Sequence, residues 1–161
     1  MLEDQFNSVF FQAAFEEAYK ALDEGEVPVG AIVTRDQKII GRGHNQVINK
    51  NSVCAHAEIQ AIKNASITIN NYRLIDCDIY VTLEPCHMCA KAIVDARMKN
   101  LFFSCLEPKT GSIISIDNFL DKPFLNHKVK FEYGYNADSS SSLLKNFFLA
   151  KRKKTDLVSK S

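Results

Sequence analysis

His56-Ala57-Glu58 and Pro85-Cys86-His87-Met88-Cys89 hold the side chains of this chain whose types and spacing could do chemistry. One imidazole and two thiols are the ligand set that holds zinc tightly, and three protein ligands instead of four leave one coordination position open. Glu58, not needed as a ligand, stands beside that opening as a candidate general base. The combination describes a hydrolytic zinc site. Cys86 and Cys89, spaced i, i+3, are expected on one side of a helix where they can pinch a single ion. Pro85 suits the start of that helix, and a helix N-terminus lowers thiol pKa values and so favours thiolates. Two thiolates and a neutral imidazole leave Zn²⁺ without net charge. Water there is acidified less than at an all-histidine site, which makes the adjacent base valuable. The i, i+2 offset from His56 points Glu58 past the metal.

Two other chemistries fit part of the pattern. Cys-x-x-Cys alone also describes a redox pair or a buried structural pair. A thioredoxin-like site has no use for the upstream His-x-Glu, and a structural zinc site would close its coordination with a fourth Cys or His. His87, between the two cysteines, is expected to point away from them. His44 and His127 are expected at the surface or in hydrogen bonds. Cys54, Cys77 and Cys105 show no pairing pattern and are expected to be small buried hydrophobes, with Cys54 alone close enough in sequence to approach the site.

Positioning these groups falls to alternating helices and strands. A helical spacing of Phe11, Ala14, Phe15, Ala18, Tyr19 and Leu22 predicts a helix from about Asn7 to Glu24, ended by Gly25. Val29 to Thr34 and Lys38 to Gly41 read as a hairpin across Arg35-Asp36-Gln37. Further expectations are a His-x-Glu helix from Ala55 to about Ala65, a strand from Asp78 to Leu83 and a second metal helix from Cys86 to Ala96. Strands follow at Asn100 to Ser104 and Lys128 to Tyr133, then a helix from Ala137 to about Lys151 that Asp138 or a neighbouring serine could cap. The order suggests an α/β fold, a three-layer α/β/α sandwich on a mixed five-stranded sheet, with the chemistry where two helix N-termini meet at one sheet edge.

At 161 residues and 46% hydrophobic, the chain can bury one core, and a single domain over residues 1–161 is expected. Met1-Leu2-Glu3-Asp4-Gln5 has neither a basic nor an apolar leader region, and no stretch reaches membrane-spanning length. An odd five cysteines suit a reducing compartment, so a soluble cytoplasmic protein with no membrane partner is expected. Charge is uneven. Lys145, Lys151, Arg152, Lys153, Lys154 and Lys160 face only Asp156 after residue 144, so this end carries +5 and the remainder −4 within a net +1. Such an end is either a solvated tail or a phosphate-facing surface. Phe147 and Phe148 favour the second reading, because aromatic faces beside cations can stack unpaired bases, although one of them could anchor the helix to the core.

The H-x-E and P-C-x-x-C signature resembles the zinc-dependent cytidine deaminase superfamily, for which it is a known mark of base deaminases. Further stretches bring the chain closest to the bacterial tRNA-specific adenosine deaminases. They are Glu26-Val27-Pro28-Val29-Gly30-Ala31, Gly43-His44-Asn45, Ala55-His56-Ala57-Glu58, Asn71-Tyr72-Arg73-Leu74-Ile75-Asp76, Tyr80-Val81-Thr82-Leu83-Glu84-Pro85-Cys86 and Lys109-Thr110-Gly111.

This resemblance implies a cytidine deaminase-like fold with strand order 2-1-3-4-5, one Zn²⁺ per subunit on His56, Cys86 and Cys89, and a homodimer whose interface helps shape each site. It further implies water addition to C6 of an extruded wobble adenine in a tRNA anticodon stem-loop, with Glu58 carrying protons to ring N1 and to the departing amine. Asn45 is expected to hydrogen-bond the nucleoside and Val29 and Leu83 to wall its pocket. Backbone N–H groups near Ala57 and Cys86 would hold the reacting centre, and Glu107 would accept a 2′-OH hydrogen bond. Departures from the family pattern at Val53-Cys54, at Lys91 and at Ser112-Ile113-Ile114-Ser115 touch no catalytic group but bear on RNA recognition. Two rivals share the metal site: a deaminase of free guanine or cytosine, and a noncatalytic zinc-stabilised RNA-binding subunit, which would have no use for Glu58.

Overall fold

The computed structural model describes residues 2–159; Met1, Lys160 and Ser161, at the two chain ends, lie outside the described residues. Among the described residues the elements run α1 (Leu2–Asp23), β1 (Gly30–Arg35), β2 (Lys38–His44), α2 (Ala57–Ile69), β3 (Asp78–Leu83), α3 (His87–Asp95), β4 (Asn100–Cys105), a 3₁₀ turn (Phe119–Asp121), β5 (Lys130–Tyr133) and α4 (Ala137–Ser159). The sheet order is β2-β1-β3-β4-β5. Strands β2, β1 and β3 pair antiparallel, while β3-β4 and β4-β5 are parallel, so the sheet is mixed.

Alternation along the central strand sorts the two faces. Ile79 and Val81 of β3 join Ala57, Ala61 and Ala65 of α2 and Ile93 and Val94 of α3 in the larger core. Tyr80 points the other way, into Phe10, Phe11 and Ala14 of α1, with Phe102 against it. Helices on opposite faces of one sheet make the three layers. The expected apolar stripe of α1 is shifted: Phe10, Phe11, Ala13, Ala14, Ala18 and Ala21 are buried, whereas Tyr19 is 53% exposed. Small residues set the spacing on the α2 side. A Cβ on Gly43 would stand 2.4 Å from the backbone of Ala57 and Ala61, so β2 runs directly against the start of α2.

Element ends differ from the sequence expectation in ways that matter for the site. α2 begins at Ala57 with His56 as its N-cap, and α3 begins at His87 with Cys86 as its N-cap; both caps have extended backbones. Two ligands therefore sit just outside helices, held by backbone geometry instead of by a helix face. β2 extends to His44, β5 begins only at Lys130, and α4 continues to Ser159. The first turn of α4 is tied down, since the buried Ser140 hydroxyl donates to the Thr82 carbonyl of β3. Cutting the chain at residue 137 would thus remove part of the packed fold along with the basic end.

Candidate metal and base-binding site

The two helix starts meet over the C-terminal end of β3. His56 Nδ1 lies 3.6 Å from Cys86 Sγ and 3.5 Å from Cys89 Sγ, and all three ligand atoms fall within 4.8 Å of one another. A tetrahedral ion with metal–sulfur bonds of about 2.3 Å and metal–nitrogen bonds of about 2.0 Å has nitrogen–sulfur edges of about 3.5 Å. The donor set and its spacing therefore fit a zinc ion. Between themselves the two thiols share a proton. A hydrogen bond from Cys89, with help from His56, lowers Cys86 to about 4, while its hydrogen bond to Cys86 and its burial push Cys89 far up. The hydrogen bond to Cys86 likewise raises His56.

Glu58 stands outside the metal-capable group but touches it through a hydrogen bond with Cys89. It is 4% exposed in the first turn of α2, where the helix dipole favours a negative charge. Burial raises its pKa, partly opposed by its own backbone N–H and by His56. A buried carboxylate with raised basicity beside an open coordination position can accept and return a proton.

A cleft of about 170 Å³ opens over these groups. Of the residues expected at the substrate, Val29, Asn45, Ala57 and Leu83 line it together with His56, Glu58 and Cys86. Asn45 is 9% exposed; its amide donates to the Val27 carbonyl at 3.4 Å, and its side-chain oxygen has no partner among the described residues. An unpaired buried acceptor in a cleft wall is costly unless a ligand satisfies it.

Glu107 and Phe148 do not reach this cleft. They line an adjoining groove of about 720 Å³ between the loop after β4 and α4, which also holds Lys109, Lys145, Lys151 and Arg152 and shares Leu83 with the cleft. The Glu107 carboxylate already accepts the Lys109 N–H at 3.0 Å. Phe148 is 44% exposed, but Phe147 is buried with the Lys151 ammonium 5.3 Å over its ring. Base stacking expected of both rings is therefore open to Phe148 alone, because the two side chains leave α4 in directions about 100° apart and that of Phe147 is the one that packs inward.

The histidine and cysteine expectations divide similarly. His87 turns away and meets the Asp117 carboxylate at 3.0 Å, and His127 contacts the Met98 carbonyl at 2.6 Å. His44 lies 3.0 Å from the Glu24 carboxylate. Cys77 and Cys105 are buried, but Cys54 is exposed and not part of the metal-capable group, which corrects its expected burial.

Two glutamates have no role that the sequence pattern reveals. Glu26, 1% exposed, accepts the N–H groups of Ile48 and Asn49 and so folds the loop that leads from Asn45 to His56. Glu84, 2% exposed and just before Pro85, lines the cleft beside Thr110 and accepts N–H groups of the loop 107–115. Burial would raise Glu84, but the N–H of Ile114, the hydroxyl and N–H of Ser115 and the N–H of Glu107 outweigh it and lower its pKa. The available signal was a charged residue ending an apolar strand, where an unpartnered carboxylate could not be buried.

Fold and site together define the deaminase class, and the family model for MafB19-like deaminases matches residues 6–152. Curated relatives narrow this. The chain is 46% identical to the tRNA-specific adenosine deaminase of Aquifex aeolicus (strain VF5), over 86% of this chain and 91% of that protein. It is 41% identical to the protein of that name from Haemophilus influenzae (strain ATCC 51907 / DSM 11121 / KW20 / Rd), over 94% and 88%. A solved structure from work on A-to-I editing by tRNA:A34 deaminases at the wobble position of transfer RNA superposes with a TM-score of 0.83 at 37% identity, covering 85% of this chain and 99% of that one. A guanine deaminase from Bacillus subtilis superposes at 0.60 with 32% identity over 78% and 83%. The chain belongs to the tRNA-specific adenosine deaminase family.

Proposed function

We propose that this protein hydrolytically deaminates the wobble adenosine of a tRNA anticodon stem-loop to inosine, releasing ammonia. The observation that carries the reading is Glu58, a buried carboxylate that lines one cleft with His56 and Cys86 and stands beside the His56, Cys86, Cys89 donor cluster. Zinc held by these three residues would supply Lewis acidity, lowering the pKa of a water in the open position. Glu58 would take a proton from a water whose oxygen bonds to C6 and pass it to N1, then take the remaining hydroxyl proton and deliver it to the amine as the C6–N bond breaks, leaving a C6 carbonyl and ammonia. Asn45 offers its side-chain oxygen to the nucleoside, Val29 and Leu83 flank the base, and backbone N–H groups near Ala57 and Cys86 hold the reacting centre. A cleft of about 170 Å³ suits a single extruded ring system.

The neighbouring groove would take the rest of the loop. Lys109, Lys145, Lys151 and Arg152 offer charge to phosphates and Phe148 offers a face to a flanking base. The second Glu107 oxygen is placed to accept a ribose 2′-OH, which selects RNA. The whole chain would act as one domain and as a homodimer with one zinc per subunit, working in the reducing cytoplasm where tRNA is found. No helix among the described residues is long and apolar enough to cross a membrane.

Guanine deaminase is the competing activity because an enzyme of that name also resembles this chain, yet 46% and 41% identity to tRNA-specific adenosine deaminases, against 32% to the guanine deaminase, favours the tRNA reading. The test is to incubate zinc-loaded protein with an anticodon stem-loop bearing adenosine at the wobble position, and separately with adenosine, cytidine and guanine. Inosine from the stem-loop alone is expected; turnover of a free base alone would replace this reading with the small-molecule one.

A further inference from the structure

We propose that Glu84 is a positioning residue that sets the substrate side of the cleft against the metal side; the inference rests on the reading that the target base enters the cleft beside Thr110 and that Glu107 meets a neighbouring ribose in the groove. Glu84 directly precedes Pro85 and Cys86, so its backbone belongs to the metal loop. Its side chain belongs to the opposite wall. Oε1 accepts the N–H of Glu107 at 3.0 Å and the hydroxyl of Ser115, and Oε2 accepts the N–H groups of Ile113, Ile114 and Ser115 at 3.0, 2.9 and 3.0 Å.

Both ends of the loop thereby converge on one carboxylate, with Thr110 at the cleft between them. Only a glycine at position 111 leaves room for it, since a Cβ on Gly111 would lie 2.3 to 2.5 Å from the Glu84 carboxyl atoms. Ser112 adds a second tie, donating its N–H at 2.9 Å and its hydroxyl at 3.0 Å to the Pro85 carbonyl. A carboxylate is acceptor-only, which is what five converging donors require. An amide in its place would aim an NH₂ group at N–H groups. The Ser112-Ile113-Ile114-Ser115 segment, which departs from the family pattern, thus provides three of the five donors through its backbone and a fourth through the Ser115 hydroxyl.

The role separates from simple structural support by its kinetic signature. If Glu84 only held the fold together, Glu84→Gln would lower the active fraction, and kcat would fall with KM unchanged. If it positions Thr110 and Glu107, the loop loosens while the cysteines stay in place, and KM for the stem-loop rises with kcat largely kept.

The experiment compares full-length, zinc-loaded wild type with Glu84→Gln, Glu84→Asp, Gly111→Ala and the Glu84→Gln/Gly111→Ala pair. It measures bound zinc, steady-state kinetics on the adenosine-containing stem-loop, and amide hydrogen exchange by mass spectrometry. Expected for Glu84→Gln are full zinc content, KM raised about tenfold or more and faster exchange confined to the loop 107–118. Glu84→Asp should recover part of the KM, and the paired change should cost no more than the larger single change, because both remove the same cage. KM within about twofold of wild type, loss of zinc, or additive effects would overturn the proposal. Should wild type fail to act on the stem-loop, the substrate reading falls by itself. Hydrogen exchange then still decides whether Glu84 organises the loop, and an unchanged loop would overturn that as well.

Discussion

Glu58 and Cys89, at the bottom of the cleft, are 4% and 0% exposed, while every residue from Lys151 to Lys154 on α4 is exposed. The two regions meet at Leu83, which lines both the cleft and the groove. At the cleft, each functional atom is fixed by a helix start or by hydrogen bonds to main chain, so its position is set when the core packs. Along the groove, the cations sit on long solvated side chains that can adjust to a ligand and are screened by salt. The difference teaches that chemistry and recognition should fail differently: the first outright and independently of ionic strength, the second by degrees and with a salt dependence.

The largest effects are expected in the cleft. Glu58→Ala should retain bound zinc and its melting temperature but lose about 10³-fold or more in kcat, because one carboxylate serves as both base and acid; inosine formation at the wild-type rate would remove Glu58 from the mechanism. Stripping zinc with a chelator should abolish turnover too, and should also lower the melting temperature by about 10 °C, since the ion binds only the folded ligand set. Calorimetry with and without zinc measures that shift. Equal melting curves would mean that the cluster holds no structural ion.

Smaller, graded effects are expected in the groove. Phe148→Ala should weaken stem-loop binding by about tenfold with kcat at saturation preserved, as for loss of one base stack, whereas binding within about twofold of wild type would place the ring away from the RNA. Replacing both Lys151 and Arg152 with alanine should flatten the plot of log affinity against log salt by about 0.7 for each phosphate that is no longer neutralised. An unchanged slope would make these residues a solvated helix end. The smallest effect belongs to Cys54→Ser. Its thiol is exposed and outside the ligand group, so zinc stoichiometry and activity should stay as in wild type.

Legibility followed locality. His56, Cys86, Cys89 and Glu58 could be assigned from types and spacing, because metal ligation demands particular atoms and short separations. The strands at Asp78–Leu83 and Asn100 onward could be read from their apolar runs, and the family resemblance implied the observed strand order. Tyr19 is exposed although its spacing fits the buried stripe, and which of Phe147 and Phe148 anchors α4 to the core is not legible in the sequence, because periodicity gives the spacing of a stripe but not how far round the helix the neighbouring sheet reaches. Glu26 and Glu84 passed unnoticed as working residues, since their partners are backbone N–H groups more than 20 residues away that carry no side-chain signature.

By itself the sequence determined which side chains form the donor set of His56, Cys86 and Cys89, the carboxylate of Glu58 beside it and the succession of helices and strands, all of which depend on residue type and near-neighbour spacing. Only the tertiary structure decided that both ligand-bearing caps meet over the end of β3, that Phe148 and not Phe147 is exposed, and that a buried Glu84 joins the two walls. Those outcomes depend on contacts between distant segments, where packing and the need to satisfy every buried polar group select one arrangement from many that the local pattern allows.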